Sequence, residues 1–164
     1  MMTVPLHSRK HPGLVALIDD ADLGLVQPYT WCPYAPKASR TFYAVAKRRD
    51  GVRSVIRMHK LITGWPRTDH QNHDGLDNQR SNLRPATNAQ NSANSRPRLG
   101  AASSYKGVCW LIGNQKWRAE IMIDGHHRHL GCFAAEEDAA RAYDAAALET
   151  WGEFAYLNFD LGRP

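Results

Sequence analysis

Between Met58 and Asn91 the chain gathers side chains whose types and spacing could do chemistry. The order is Met58-His59-Lys60, then Thr68-Asp69-His70-Gln71-Asn72-His73-Asp74-Gly75-Leu76-Asp77-Asn78, then Ser81-Asn82-Leu83-Arg84 and Gln90-Asn91. Asp69 beside His70 puts a hard oxygen ligand next to an imidazole, which is neutral at its ordinary pKa near pH 7. That pairing suits phosphodiester hydrolysis. The reaction needs a base that activates water, a metal on the scissile phosphate and a group that stabilises the leaving oxygen. Adjacent strand residues point to opposite faces, so the pair is expected at a strand end, where twist can turn both toward one phosphate. Asn91 could supply a second oxygen ligand, and oxygen donors suit Mg2+ better than Zn2+.

In its spacing the segment resembles the HNH motif in the H-N-N form found in phage homing endonucleases. The residues that carry the resemblance are His70, Asn82 and Asn91, within the frame Asp69-His70, Asn72, Asp74, Asp77-Asn78, Ser81-Asn82-Leu83-Arg84, Thr87 and Gln90-Asn91. The resemblance implies a ββα-metal (His-Me finger) fold with His70 as general base. It implies Asp69 and Asn91 as ligands of Mg2+ or Mn2+, and Asn82 as the central Asn that shapes the loop and orients the base. His73 departs from the pattern, which usually has Gly at that turn, and could perturb the loop. His59 precedes the apolar Leu61-Ile62, so it is either a buried structural His or a functional one. Arg84 could contact a phosphate or lie on the surface. His7 and His11 carry no pattern.

Elements must position these groups. Val15-Ala16-Leu17-Ile18 is a compact apolar run. Thr41 to Ala46 and Ser54 to Met58 flank Arg48-Arg49-Asp50-Gly51, where Asp-Gly is a hairpin signal. Residues 1–57 are expected to form a small β-rich piece and residues 58–95 the nuclease core. Thr87-Asn88-Ala89-Gln90 reads as a capping box, so a short helix is expected to start there with Asn91 in its first turns. Residues 96–104, with Pro97, Gly100 and small polar side chains, read as a linker.

Residues 105–160 read as three strands and a helix. The strands are Tyr105–Leu111, Lys116–Ile123 and His127–Phe133, with turns at Gly113-Asn114 and Asp124-Gly125. The helix runs from Glu136 to Trp151, with three acids in its first turn, an inner face of Ala139, Ala140, Tyr143, Ala146 and Ala147, and a stop at Gly152. The module closely resembles the ethylene-response-factor (APETALA-type) DNA-binding domain through Tyr105-Lys106-Gly107-Val108, Lys116-Trp117-Arg118-Ala119-Glu120-Ile121, Leu130-Gly131-Cys132-Phe133, Ala139 to Ala147 and Gly152 to Phe159. That family lays a three-stranded antiparallel sheet in the major groove and braces it with the helix. The resemblance and the charges nominate Lys106, Trp110, Lys116, Arg118, Glu120, His127, Arg128 and His129 for DNA contact. Cys109, Leu111 and Met122 stand where plant members often carry Arg, so the plant target sequence does not carry over. Tyr143 is expected in the core.

Composition agrees with a folded α+β protein that binds a polyanion. Of 164 residues, 43% are hydrophobic and 23% charged, with a net charge of +5. The charge is uneven: residues 1–100 hold fifteen Lys and Arg against seven Asp and Glu, and residues 101–164 hold six against nine. A basic front half favours a nucleic-acid partner by counterion release. No apolar run approaches the length of a membrane span, and Met1 to Lys10 lack the apolar stretch of a signal peptide. A cytoplasmic location, in a bacterial or phage-infected cell, is therefore expected. Cys32, Cys109 and Cys132 form no CxxC pair, and with His70 and His73 they lack zinc-site spacing, so neither a disulfide framework nor structural zinc is expected. The expected activity is metal-dependent endonucleolytic hydrolysis of double-stranded DNA. The alternative is a non-catalytic DNA-binding regulator with a degenerate motif, and a third reading is a nuclease acting on structured RNA.

Overall fold

The computed structural model describes residues 1–37, 41–48, 54–98 and 100–159. They form an α+β protein of small antiparallel sheets and short helices, divided into two compact units, Met1–Thr87 and Asn88–Pro164.

In the first unit, β1 (Met2–Pro5) pairs with β2 (Val15–Ile18), and β3 (Cys32–Tyr34), β4 (Tyr43–Lys47) and β5 (Val55–Arg57) form a second sheet in that order. β4 and β5 pair antiparallel with Val45 opposite Arg57, and the Arg49-Asp50-Gly51 turn lies outside the described residues. Two short helices were not legible in advance: α1 (Leu23–Val26) and α2 (Met58–Thr63). The second changes the expected strand Ser54 to Met58. Arg57 is still extended, but Met58 and Ile62 turn into the core, and Gly64 ends the helix in the left-handed region at φ +68°. One apolar cluster joins these pieces, with Ala16, Ile18, Val26, Trp31, Ala44, Met58, Ile62 and Leu83 buried. Trp31 is fully covered and donates its indole N–H to the Val26 carbonyl at 2.9 Å, which satisfies the one polar atom it brings inside. The last element is a two-stranded hairpin, β6 (Thr68–His70) with β7 (Leu83–Pro85).

In the second unit, α3 (Asn88–Ala93) comes first, where the capping-box signal placed it. A three-stranded sheet follows in the order β10 (His126–Phe133), β9 (Lys116–Ile123), β8 (Val108–Leu111). Strand β8 starts later than the expected Tyr105. Gly107 breaks the extended run at φ +76°, and a Cβ there would collide with the Tyr143 ring. Asp124 and Gly125 both take positive φ, +50° and +81°, so this two-residue hairpin turn matches the right-handed twist of its strands. α4 (Glu136–Trp151) backs the sheet. Its Ala139, Ala140, Tyr143 and Ala147 pack on Val108, Ala119 and Ile121, and the small side chains let helix and sheet approach closely. Asp144 is also buried, 2% exposed. Its carboxylate accepts the Asn158 and Phe159 backbone N–H groups at 2.8 and 2.9 Å and the Asn158 side-chain amide at 3.0 Å. Asn158 in turn accepts the Lys106 N–H at 2.7 Å and donates to the Lys106 carbonyl at 3.1 Å, which ties the C-terminal segment to the start of β8. Among the described residues no helix is long and apolar enough to cross a membrane.

Candidate active site and nucleic-acid interface

Cross-strand register explains why Asp69 and His70 have different surroundings. His70 is the last residue of β6 and pairs with Leu83, while Asp69 pairs with Arg84. Paired residues share a face. His70 therefore turns with Leu83 toward the core, and Asp69 meets the Arg84 guanidinium. Arg84 Nε and Nη2 reach Asp69 Oδ2 at 2.9 and 2.8 Å. Both site residues are buried, Asp69 at 4% and His70 at 6% exposure. Arg84 is only partly exposed and serves as the partner of the carboxylate.

Two further rings enclose the His70 imidazole. The His59 ring lies edge-on at 5.0 Å, and Tyr43 is 5.8 Å from His70 and 5.9 Å from His59. His59 reaches this place because α2 turns it inward, where it is 4% exposed. Its Nδ1 has no hydrogen-bond partner among the described residues. Burial pushes the His59 pKa down from 6.5 to about 3, and the neighbouring His70, Arg57 and Lys60 act in the same direction. Burial also lowers His70 below 6.5, against the opposing pull of a hydrogen bond with Asn78 and of Asp69, Asp74 and Asp77. His70 is therefore a neutral imidazole near pH 7, which is the state a proton acceptor needs. Burial raises the Tyr43 phenol above its ordinary 10.0, so it stays protonated.

The loop between β6 and β7 is built from its own polar side chains. Asn82, 7% exposed, accepts the Asn72 N–H through Oδ1 at 2.9 Å and donates through Nδ2 to the Asp77 carbonyl at 2.8 Å. Asn72 Oδ1 caps the Asp74 N–H at 2.9 Å, and Asp74 Oδ1 caps Leu76 N–H at 2.9 Å. His73 occupies the left-handed region at φ +63°, the conformation that makes Gly common at such turns. The chain accepts the conformation despite the side chain. Two sets of contacts dock the loop: Leu17 of β2 donates to the Leu76 carbonyl and accepts the Asn78 N–H, each at 2.8 Å, and Arg80 grips Asp22, beyond β2, at 2.7 and 3.0 Å and the Ile62 carbonyl of α2 at 3.0 Å. Asn78 is fully buried. Tyr43 and the Arg80–Asp22 pair were not singled out in the sequence. Asn78 was visible within the motif, but only burial reveals its place behind His70. Asn91 is an exposed residue of α3, in the second unit.

The sheet of the second unit carries most of the nominated DNA-contact residues on one face. Register places Cys109 and Cys132 beside Arg118, Leu111 beside Lys116, His129 beside Glu120 and His127 beside Met122. These alternate with the helix-facing Val108, Ala119 and Ile121. Glu120 is held between Arg118 Nη2 at 3.0 Å and His127 Nδ1 at 3.4 Å. Arg128 pairs with Ile121 and Trp110 with Trp117, so both fall on the alternate positions, and the two indoles meet edge-on at 4.9 Å. Lys106 precedes β8, and its ammonium is occupied by backbone carbonyls of the α3 end. Tyr143, 4% exposed, is a core residue, as its place on the inner helix face required.

No family model matches the sequence. The chain is nevertheless similar to two classes of curated protein, HNH endonucleases and AP2-like ethylene-responsive transcription factors. Over 90 residues it is 38% identical to an uncharacterized HNH endonuclease of Acanthamoeba polyphaga mimivirus, a match covering 55% of this chain and 46% of the relative. Over 63 residues it is 41% identical to an AP2-like ethylene-responsive transcription factor of Arabidopsis thaliana, covering 37% of this chain and 18% of the relative. A second Arabidopsis factor of that type is 41% identical over 64 residues, covering 38% and 13%. The chain thus spans less than half the length of each of these relatives.

Proposed function

We propose that this protein is a metal-dependent DNA endonuclease of the HNH type that selects its site through the C-terminal sheet. The observation that carries the reading is a buried neutral imidazole, His70, next to a buried carboxylate, Asp69, on one short strand. In this reading His70 accepts a proton from water as the oxygen attacks phosphorus, and the bond from phosphorus to the leaving oxygen breaks. Asn82 holds the loop that orients His70. Asp69 and Asn91 would hold Mg2+ or Mn2+. One carboxylate and one amide oxygen fit a hard cation that takes its remaining ligands from water and phosphate. When bound, the ion supplies charge stabilisation at the phosphate. Arg84, whose Nε and Nη2 both meet Oδ2 of Asp69, fixes that carboxylate in direction.

The sheet face with Lys116, Arg118, Glu120, His127 and His129 is the proposed reading surface for duplex DNA. Phosphate contacts would position it, and base-edge contacts would give preference. Glu120, held by Arg118, is oriented to accept from a cytosine amino group.

Incubation with supercoiled plasmid tests the reading. With Mg2+ the protein should relax or linearise the plasmid, and His70→Ala should lower the rate by about 10²–10⁴-fold while leaving DNA affinity unchanged. Asp69→Ala and Asn91→Ala should each raise the Mg2+ concentration needed for cleavage. DNA binding without cleavage in Mg2+ or Mn2+ would instead mark a non-catalytic regulator.

A further inference from the structure

We propose that Lys106 is the positioning residue that holds α3, the helix bearing Asn91, on the C-terminal sheet unit, so that its ammonium is committed to the protein and not to a DNA phosphate. The proposal rests on Asn91 acting as a metal ligand in the reading above.

A six-residue helix does not persist alone, because helix nucleation is costly and so few hydrogen bonds do not offset it. Something must therefore hold α3, and its apolar packing is thin. Of its six residues only Ala93 is buried. A cavity of about 410 Å³ is lined by Ala89 and Ala93 together with Ile121, Met122, Tyr143 and Trp151. Polar contacts at the C-terminal end take over the attachment. Lys106 Nζ donates to the Ser92, Ala93 and Ser95 carbonyls at 2.8, 2.5 and 2.8 Å. The Tyr156 N–H donates to the Ala93 carbonyl at 3.0 Å, and the Tyr156 ring lies 5.6 Å from the ammonium.

Donor arithmetic makes the assignment specific. An ammonium has three N–H donors, and four acceptors lie within hydrogen-bond distance, the three carbonyls and, more distantly, Ser95 Oγ at 3.4 Å, so no donor is left over. These carbonyls are also at the negative end of the helix, where a cation is favoured. Binding a phosphate would require giving up one of these bonds. At the other end of the residue, the Lys106 backbone N–H and carbonyl are fixed by Asn158, which Asp144 holds. The Asn91 helix is thus anchored through Lys106 to α4, the helix that braces the reading sheet.

The test uses the full chain with Lys106→Met, which removes the donors, and Lys106→Arg, which keeps charge and donors. Three quantities are read: the Mg2+ concentration for half-maximal plasmid nicking, duplex affinity and its salt slope in chelator, and hydrogen exchange at the Tyr156 and Asn94 amides. Lys106→Met should raise the Mg2+ midpoint and speed exchange at both amides by about tenfold, the scale of a lost charge-assisted hydrogen bond. Affinity and salt slope should not change, and Lys106→Arg should recover part of both effects. A salt slope lower by about one with unchanged exchange would overturn the proposal and make Lys106 a phosphate contact. Faster exchange with an unchanged Mg2+ midpoint would also overturn it, leaving Lys106 a purely structural cap. If the unaltered protein nicks DNA in neither Mg2+ nor Mn2+, the nuclease reading fails on its own. The exchange rates then decide the anchoring: acceleration upholds it and no change overturns it.

Discussion

Acid should weaken this fold through its buried histidines, and the share due to His59 can be isolated. Its imidazole is buried with a pKa near 3, while in the unfolded chain it titrates near about 6.5. The unfolded state therefore binds the proton more readily between these values. Stability from this residue is complete above the unfolded pKa and is lost as pH falls toward the folded one. At about pH 5 the unfolded chain is favoured by roughly 1.5 pH units' worth of protonation, or about 2 kcal/mol, and at about pH 7.5 by almost nothing. His59→Phe keeps an aromatic ring in the site, cannot titrate and removes a nitrogen that has no partner among the described residues. Urea unfolding of both proteins at about pH 7.5 and pH 5 isolates the effect, since every other titrating group is common to the two. The unaltered protein should lose about 2 kcal/mol more than His59→Phe, which at ordinary urea sensitivity is a midpoint difference of about 1 M. Equal losses in the two proteins would refute the claim that His59 is buried uncharged against His70.

Two other outcomes follow from local geometry. His73→Gly should stabilise the protein by about 0.5–1 kcal/mol in the same urea assay, because φ +63° strains any residue with a Cβ by about 1–2 kcal/mol and glycine's extra unfolded-state entropy offsets only part of that. Asp144→Ala should destabilise the second unit by about 3 kcal/mol or more, read as a lower thermal midpoint, since it strands three donors that now meet one buried carboxylate.

Local signals in the sequence carried much of this structure. The helix Glu136–Trp151 was legible from its acidic first turn, its alanine-lined face and Gly152, all features of a few consecutive residues. The Asp124-Gly125 turn was legible because Gly and Asp tolerate positive φ. The pair Asp69-His70 was expected at a strand end and lies there, because the polar run after it cannot continue a strand. α2 was not legible: Met58, Leu61 and Ile62 stand at i, i+3 and i+4, but six residues are too short for that spacing to establish a period, and burial against the first-unit core decides their conformation.

What the chain determined by itself was therefore the inventory of reactive groups and their order, together with turns and helix limits set by backbone preference within a few residues. Tertiary structure decided the state of those groups. His59 and His70 have ordinary imidazoles in sequence, and only the crossing of β4, α2 and β6 strips water from them and keeps them neutral. Arg84 is an unremarkable cation until register sets it opposite Asp69. Lys106 shows only a cation in sequence, and the fold brings its ammonium to donate to three carbonyls at the end of α3. Desolvation, cross-strand register and donor saturation depend on residues far apart in sequence meeting in space, and no local pattern records them.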